Sequence, residues 1–335
     1  MKRKSYLVTG GTGFIGSAIV RRLVKEGYGL RILDNNLRGK ACRIKDIARS
    51  IQMINGDVRD RSVVEKAAKG MDGIIHLAYL NGTEFFYKRP ELVLDIAVKG
   101  MINVLDSAAA NKIKELILLS SSEVYQTPPY IPTDEYVPLS IPDPMNPRYS
   151  YGGGKIISEL LAVNYGRKSL DRLLIVRPHN VYGPDMGWEH VIPQLAARIK
   201  RLSEKRDSGR IRLPIQGTGR ETRSFCYIDD FVDGFMRVLK KGRNGNIYNV
   251  GTMEEVRIRD LAVRIVEYFG RDVSIVARKL AKGGTSRRCP DISKIKRLGY
   301  LPKIPLRKGL KLTLSWYDKN AHLEPRNRKS IEDYV

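Results

Sequence analysis

A doubly wound, parallel α/β sheet with a smaller mixed lobe after it is the architecture this sequence predicts. Three observations lead there. Short apolar β-type runs alternate with helical patterns through the first 180 residues, as when strands are joined by crossover helices. The first strand runs directly into a glycine-rich turn and then an amphipathic helix. Beyond residue 180 the elements shorten and the alternation fades, which marks a second lobe.

Taken in order, strands are expected at Tyr6–Thr9, Leu30–Leu33, Gln52–Ile54, Gly73–Leu77, Glu115–Ser120 and Leu173–Arg177. Between them lie helical patterns at Ile15–Lys25, Ser62–Ala68, Glu91–Asn111 and Ile156–Tyr165. In the first helix Ile15, Ala18, Ile19 and Leu23 share one face, the stripe that packs on a sheet. Residues 81–90 and 126–149 read as loops, and seven prolines between Tyr125 and Pro147 mark a surface loop near a site. The expected division is residues 1–180 for the sheet domain, 181–317 mainly for the second lobe with some chain returning to the sheet, and 318–335 for a polar tail.

Composition bounds the rest. The chain has 335 residues, of which 42% are hydrophobic and 29% charged, the balance of an ordinary globular protein rather than a fibrous or disordered one. No apolar run approaches the roughly 20 residues a bilayer requires, and the run after Met1-Lys2-Arg3-Lys4 is too short for a secretory signal. Cys42, Cys226 and Cys289 are odd in number and far apart, so neither a disulfide framework nor a metal spacing is read, and a cytoplasmic location is expected. The net charge of +24 attracts polyanions, which includes phosphorylated small molecules as well as nucleic acid; a solvated basic surface is the plain alternative.

Gly10, Gly13 and Gly16 form G-x-x-G-x-x-G at the strand-to-helix turn. A pyrophosphate needs that turn free of side chains and needs the N–H groups of the helix start. Asp34 ends the second strand 18 residues past Gly16, where a carboxylate accepts from ribose hydroxyls and repels a 2′-phosphate. This is a Rossmann-type site for NAD rather than NADP, although Arg38 offsets the preference. Asp57, after Gly56, falls at the adenine edge or is a turn former.

Tyr151 and Lys155 stand four residues apart, one helix face, where an ammonium beside a phenol lowers the phenol toward working pH and makes it a general base. Three glycines between them, Gly152 to Gly154, imply a close backbone approach to a ligand. Strand 115–120 ends in Ser121-Ser122-Glu123, at the end of a parallel strand where ligands bind. Ser121 is placed to bond a substrate hydroxyl; Glu123 is an extra acid or base, or a loop carboxylate. Trp188 either stacks on a base or belongs to the core.

Together with His76-Leu77-Ala78, Arg177-Pro178-His179-Asn180-Val181-Tyr182-Gly183-Pro184, Arg223-Ser224-Phe225-Cys226-Tyr227 and Arg287-Arg288-Cys289-Pro290-Asp291, these motifs resemble the extended short-chain dehydrogenase/reductase family that modifies nucleotide sugars, over roughly residues 5–317. The resemblance implies that Gly10, Gly13, Phe14, Ile15, Gly16, Asp34, Asn35, Arg38, Asp57, Val58, Leu77, Ala78, Tyr151, Lys155 and Pro178 hold NAD. It implies Ser121, Tyr151 and Lys155 as catalytic, with Glu123 beside them, and Ser122, Asn180, Arg223 and Arg288 as contacts to a nucleotide-diphosphate sugar. It also implies a homodimer and no metal. Ala97 departs from the family, where Asn is frequent, and Ser121-Ser122-Glu123 is closest to the T-S-E of UDP-glucuronate decarboxylases and GDP-mannose dehydratases. The expected activity is an NAD-dependent nucleotide-sugar epimerase or dehydratase working through oxidation at sugar C4, with a UDP-glucuronate decarboxylase type as the alternative. A non-catalytic NAD- or RNA-binding protein of the same fold is the reading from another class. The aromatics are not interleaved with the basic runs as a nucleic-acid platform requires.

Overall fold

The structure is a computed structural model that describes residues 4–204, 210–278 and 283–325. Seven parallel strands form its main sheet. They are β1 (Ser5–Thr9), β2 (Gly29–Asp34), β3 (Gln52–Asn55), β4 (Gly73–His76), β5 (Glu115–Leu119), β6 (Arg172–Pro178) and, numbering every strand in chain order, β11 (Asn246–Val250). The spatial order is β11-β6-β5-β4-β1-β2-β3. The order reverses between β1 and β4, so a crevice opens beyond their C-terminal ends.

Strict alternation buries the sheet on both faces. Tyr6, Val8, Ile117, Leu119, Leu174 and Val176 point to one side, into the larger core. Leu7, Leu116, Leu118, Leu173 and Ile175 point to the other. The first face is covered by α1 (Phe14–Lys25), through Ile19, Val20 and Leu23, and by α7 (Ile228–Lys241). The second is covered by α2 (Arg61–Ala68), α4 (Pro90–Ala110) and α5 (Ser150–Ser169). Burial on both faces explains why these strands read as apolar runs.

Residues 83–88 were expected in a loop but form a helix, α3 (Thr83–Lys88), which buries Phe86 against the second core. α5 starts at Ser150, six residues before the expected Ile156, and takes Tyr151 and all three glycines into its first turns. Those glycines make room for protein atoms rather than for a ligand. A Cβ on Gly152 would lie 2.9 Å from the Glu123 carbonyl oxygen, and one on Gly154 2.2 Å from the Tyr79 hydroxyl.

The later part of the chain carries α6 (Val191–Glu204), α8 (Ile258–Tyr268), α9 (Ser293–Lys296) and α10 (Leu306–Lys319). It also carries three small sheets. β7 (Val181–Tyr182) pairs with β10 (Cys226–Tyr227), and β8 (Ile211–Gln216) with β13 (Val273–Arg278). β9 (Thr222–Ser224) lies between β12 (Glu255–Arg257) and β14 (Arg287–Arg288). Of the expected tail, 318–325 completes α10 and a 3-10 turn at Ala321–Leu323, and 326–335 lies outside the described residues.

Candidate active site

One cavity of about 590 Å³ opens at the reversal point. Its dinucleotide end is built by the turn after β1. Gly10 adopts φ +74, and a Cβ there would sit 2.6 Å from the Ala78 nitrogen. A Cβ on Gly16 would sit 2.1 Å from the Gly10 carbonyl oxygen. α1 therefore starts hard against the loop, its N-cap is Gly13, and no side chain caps its first-turn amides. Those amides are available to an anion.

Asp34 ends β2 and is 8% exposed. Its carboxylate accepts from the backbone N–H groups of Thr12 and Asn36, each at 2.9 Å, which fixes its orientation and leaves lone pairs for ribose hydroxyls. Asn35 donates to Asp57, and Arg59 grips the same Asp57 carboxylate and holds it below the usual range. The cradle and the free capacity of Asp34 fit a dinucleotide without a 2′-phosphate. Arg38, a candidate for offsetting that preference, is instead ion-paired to Glu189. Arg43 binds Asp185 at 2.6 Å, so two ion pairs tie the segment after β2 to the loop after β7 across the rim.

At the other end the turn after β5 presents Ser121, Ser122 and Glu123, and α5 presents Tyr151 and Lys155. Ser121 accepts from the Glu123 N–H and its hydroxyl hydrogen-bonds the Tyr151 phenol. The expected ammonium–phenol contact takes a different form. Lys155 Nζ donates to the Leu119 carbonyl at 2.7 Å and lies 3.7 Å from the ring centre of Tyr79, against 5.9 Å from that of Tyr151. Burial pushes Lys155 down to about 7 against the pull of Glu159, and burial pushes Tyr151 up. Shared helix spacing puts the two on one face; Tyr79, entering from β4, takes the ammonium.

Glu123 accepts from Arg288 at 2.5 Å. Burial pushes this carboxyl up, but Arg288, Arg148 and Arg223 together hold it down at about 2. Arg223 does not line the cavity: its guanidinium donates to the carbonyls of Thr222 and Thr285, drawn there by the β9–β14 pairing. Every other residue expected at the site lines this one cavity: Gly10, Gly13, Phe14, Ile15, Gly16, Asp34, Asn35, Arg38, Asp57, Val58, Leu77, Ala78, Ser121, Ser122, Glu123, Tyr151, Lys155, Pro178, Asn180 and Arg288. Asn180 is held at φ +38 with its amide on the Ser224 carbonyl. Trp188 is 7% exposed and packs edge-on against Tyr317 while lining the cavity.

Sequence reasoning missed Tyr79 and Arg148. Tyr79 extends the His76-Leu77-Ala78 run by one residue, and an aromatic directly after a strand end was the available signal. Arg148 lies in the proline-rich segment and carried none. Among the described residues, no group of three or more His, Cys, Asp or Glu could hold a metal ion, and no helix is long and apolar enough to cross a membrane.

The profile of the NAD dependent epimerase/dehydratase family matches residues 6–251. The chain is 30% identical over 329 residues to a UDP-N-acetyl-alpha-D-glucosaminuronate decarboxylase of Bacillus cytotoxicus, covering 94% of this chain and 98% of the relative. Among solved structures it is similar to the dTDP-glucose 4,6-dehydratase DesIV of Streptomyces venezuelae, which has NAD bound. The TM-score there is 0.83 and the identity 30%, with 95% of this chain and 98% of that one covered. It is also similar to the UDP-glucose 4-epimerase of Thermotoga maritima with UDP-glucose, at a TM-score of 0.82 and 27% identity, covering 95% and 99%.

Proposed function

The chain belongs to the NAD dependent epimerase/dehydratase family, and we propose that it is the decarboxylating kind: an enzyme that removes the C6 carboxylate of a nucleotide-diphosphate sugar after transient oxidation at C4. NAD, held by the Gly10–Gly16 turn and Asp34, would supply reversible hydride acceptance at C4. Tyr151 is the base for the C4 hydroxyl proton, Ser121 orients that hydroxyl, and Lys155 supports the charge that develops on the phenol. The C4 ketone then receives the electron pair of the C5–C6 bond as carbon dioxide leaves. C5 is reprotonated, and the ketone is reduced again.

The observation that carries this reading is the Glu123–Arg288 pair. A base for the C5 hydrogen works best with a pKa near the operating pH. Glu123, held at about 2, is a poor base, which argues against 4,6-dehydration and C5 inversion. Arg288 holds Glu123 through one terminal nitrogen and the Thr285 hydroxyl through the other, and the guanidinium cluster leaves excess positive charge beside Ser121 and Tyr151, which favours a substrate carboxylate. A site for C4 epimerisation alone, where hydride leaves and returns at one carbon, has no use for the Glu123 carboxylate.

The test is incubation with a panel of 6-carboxylated and 6-hydroxymethyl nucleotide sugars in deuterated water, read by NMR. Carbon dioxide release with one deuterium at C5 is expected. A C4 epimer without deuterium, or a 4-keto-6-deoxy product, would overturn the proposal. The same proposal includes a homodimer, supported by Leu94 of α4 and Leu160 and Tyr165 of α5, exposed at 37%, 57% and 50% on adjacent helices. It also includes a cytoplasmic location, supported by three free cysteines.

A further inference from the structure

Tyr79 belongs to none of the motifs above, yet its ring meets both residues assigned to proton transfer. We propose that Tyr79 is a positioning residue whose ring face seats the Lys155 ammonium and whose hydroxyl is keyed into the space left by Gly154 and Ala97. The proposal rests on the assignment of Tyr151 and Lys155 as the proton-transfer pair.

Three elements converge to build this seat. Tyr79 follows β4, Ala97 lies on α4 and Gly154 on α5. A Cβ on Gly154 would be 2.2 Å from the Tyr79 hydroxyl and 2.9 Å from the Ala97 Cβ, so any side chain at 154 evicts the phenol. The hydroxyl reaches the Tyr151 carbonyl at 3.5 Å. The Tyr79 ring meets the Tyr151 ring edge-on, with centres 5.1 Å apart and planes at 85°. The absence of a side chain at 154 is thus what admits the Tyr79 hydroxyl between α4 and α5.

Lys155 is 3% exposed, where an ammonium loses its hydration and its neutral form gains. The negative face of an aromatic ring returns part of that loss, most effectively when water is excluded. Other groups facing Lys155 are few. Glu159 lies one turn along α5, but its carboxylate is gripped by Arg177 of β6 and also accepts from Ser120. His76 of β4 is pushed down to about 3 by burial and is neutral. Tyr151 shares the helix, and Leu119 of β5 supplies its carbonyl. The direct partners of the ammonium are the Leu119 oxygen and the Tyr79 ring.

The test reads the Lys155 titration midpoint in substrate-free protein, from carbon-13 NMR of its Cε group assigned with Lys155→Met. Tyr79→Leu should lower the midpoint by about one pH unit, and Tyr79→Phe, which keeps the ring, should leave it in place. Gly154→Ala should lower it too, and Tyr79→Phe in the Gly154→Ala background should move it back toward the starting value by removing the nearer collision, with the Tyr79 oxygen, while the one with the Ala97 Cβ remains. An unchanged midpoint in Tyr79→Leu overturns the proposal, as does a shift in Tyr79→Phe equal to that in Tyr79→Leu. Should Tyr79→Leu not fold, the Gly154→Ala pair decides: absence of either the shift or its reversal overturns the proposal. Turnover retained by both Tyr151→Phe and Lys155→Met would instead defeat the proton-transfer assignment, a result the midpoint measurement does not depend on.

Discussion

Replacing Arg288 by Leu leaves the Glu123 carboxylate in a largely closed site without its nearest partner. The size of the effect follows from the titration of Glu123, which is lowered from an ordinary 4.5 to about 2 although burial alone pushes it up. A depression of roughly two and a half units corresponds to roughly 3 kcal/mol of preference for the charged form in the folded state. Its sign is that of a depressed carboxyl: the stabilisation is complete above about pH 4.5 and disappears as pH falls through about 2. Arg148 and Arg223 remain in Arg288→Leu while burial still opposes the charge, so roughly 3 kcal/mol sets the scale of the loss at neutral pH. Removing one partner of a buried pair costs more than removing both. Glu123→Gln added to Arg288→Leu should therefore recover most of the loss. Urea denaturation of the four proteins at neutral pH gives a coupling energy, expected on the order of 2 kcal/mol. The gap between the unaltered protein and Arg288→Leu should also close on acidification. A coupling below about 0.5 kcal/mol, or a gap independent of pH, would refute the reasoning that Arg288 holds Glu123 ionised.

Tyr151→Phe should cut turnover by about 100-fold or more while NAD affinity, measured by calorimetry, stays unchanged, because only the phenolic oxygen is lost. Asp34→Ala should narrow the preference for NAD over NADP in binding titrations, since it removes the carboxylate that repels a 2′-phosphate. Gly16→Ala should abolish dinucleotide binding and lower the melting temperature, because its Cβ falls 2.1 Å from the Gly10 oxygen, a backbone atom that cannot step aside. Leu160→Glu should move the protein from dimer to monomer in sedimentation velocity without disturbing the fold, as Leu160 is 57% exposed on α5.

Residues that carry a repeating signal were readable in the chain itself. β1 to β6 lie within two residues of their expected bounds; β1, β4, β5 and β6 are buried on both faces and show as apolar runs between turns, whereas β3 at the sheet edge is largely exposed. β11 escaped, being five residues within a stretch of short elements. α3 escaped because a helix of six residues offers under two turns of periodicity, and its burial of Phe86 is a tertiary fact. At the site, the glycine turn and Asp34 were legible from local backbone need. What depended on distant chain was not. Arg288 lies 165 residues from its partner Glu123, and Arg223 is captured by the carbonyl of Thr285, 62 residues away, which no local pattern foretells. The four-residue spacing of Tyr151 and Lys155 announced a common face but not that Tyr79 would meet both of them.

The ion pairs Arg38–Glu189 and Arg43–Asp185 span the mouth of the crevice, and both are partly shielded from solvent, so ordinary salt screens them weakly. Were these pairs to part only slowly, a dinucleotide held at the Gly10–Gly16 turn would exchange slowly with solution. In a cycle that hands the hydride back, no exchange is needed between turnovers, and the protein works with whatever molecule it captured at loading. Its throughput is then insulated from the ratio of oxidised to reduced nicotinamide around it. Slow exchange would carry a penalty: a copy loaded with the reduced form would stay idle until that molecule left.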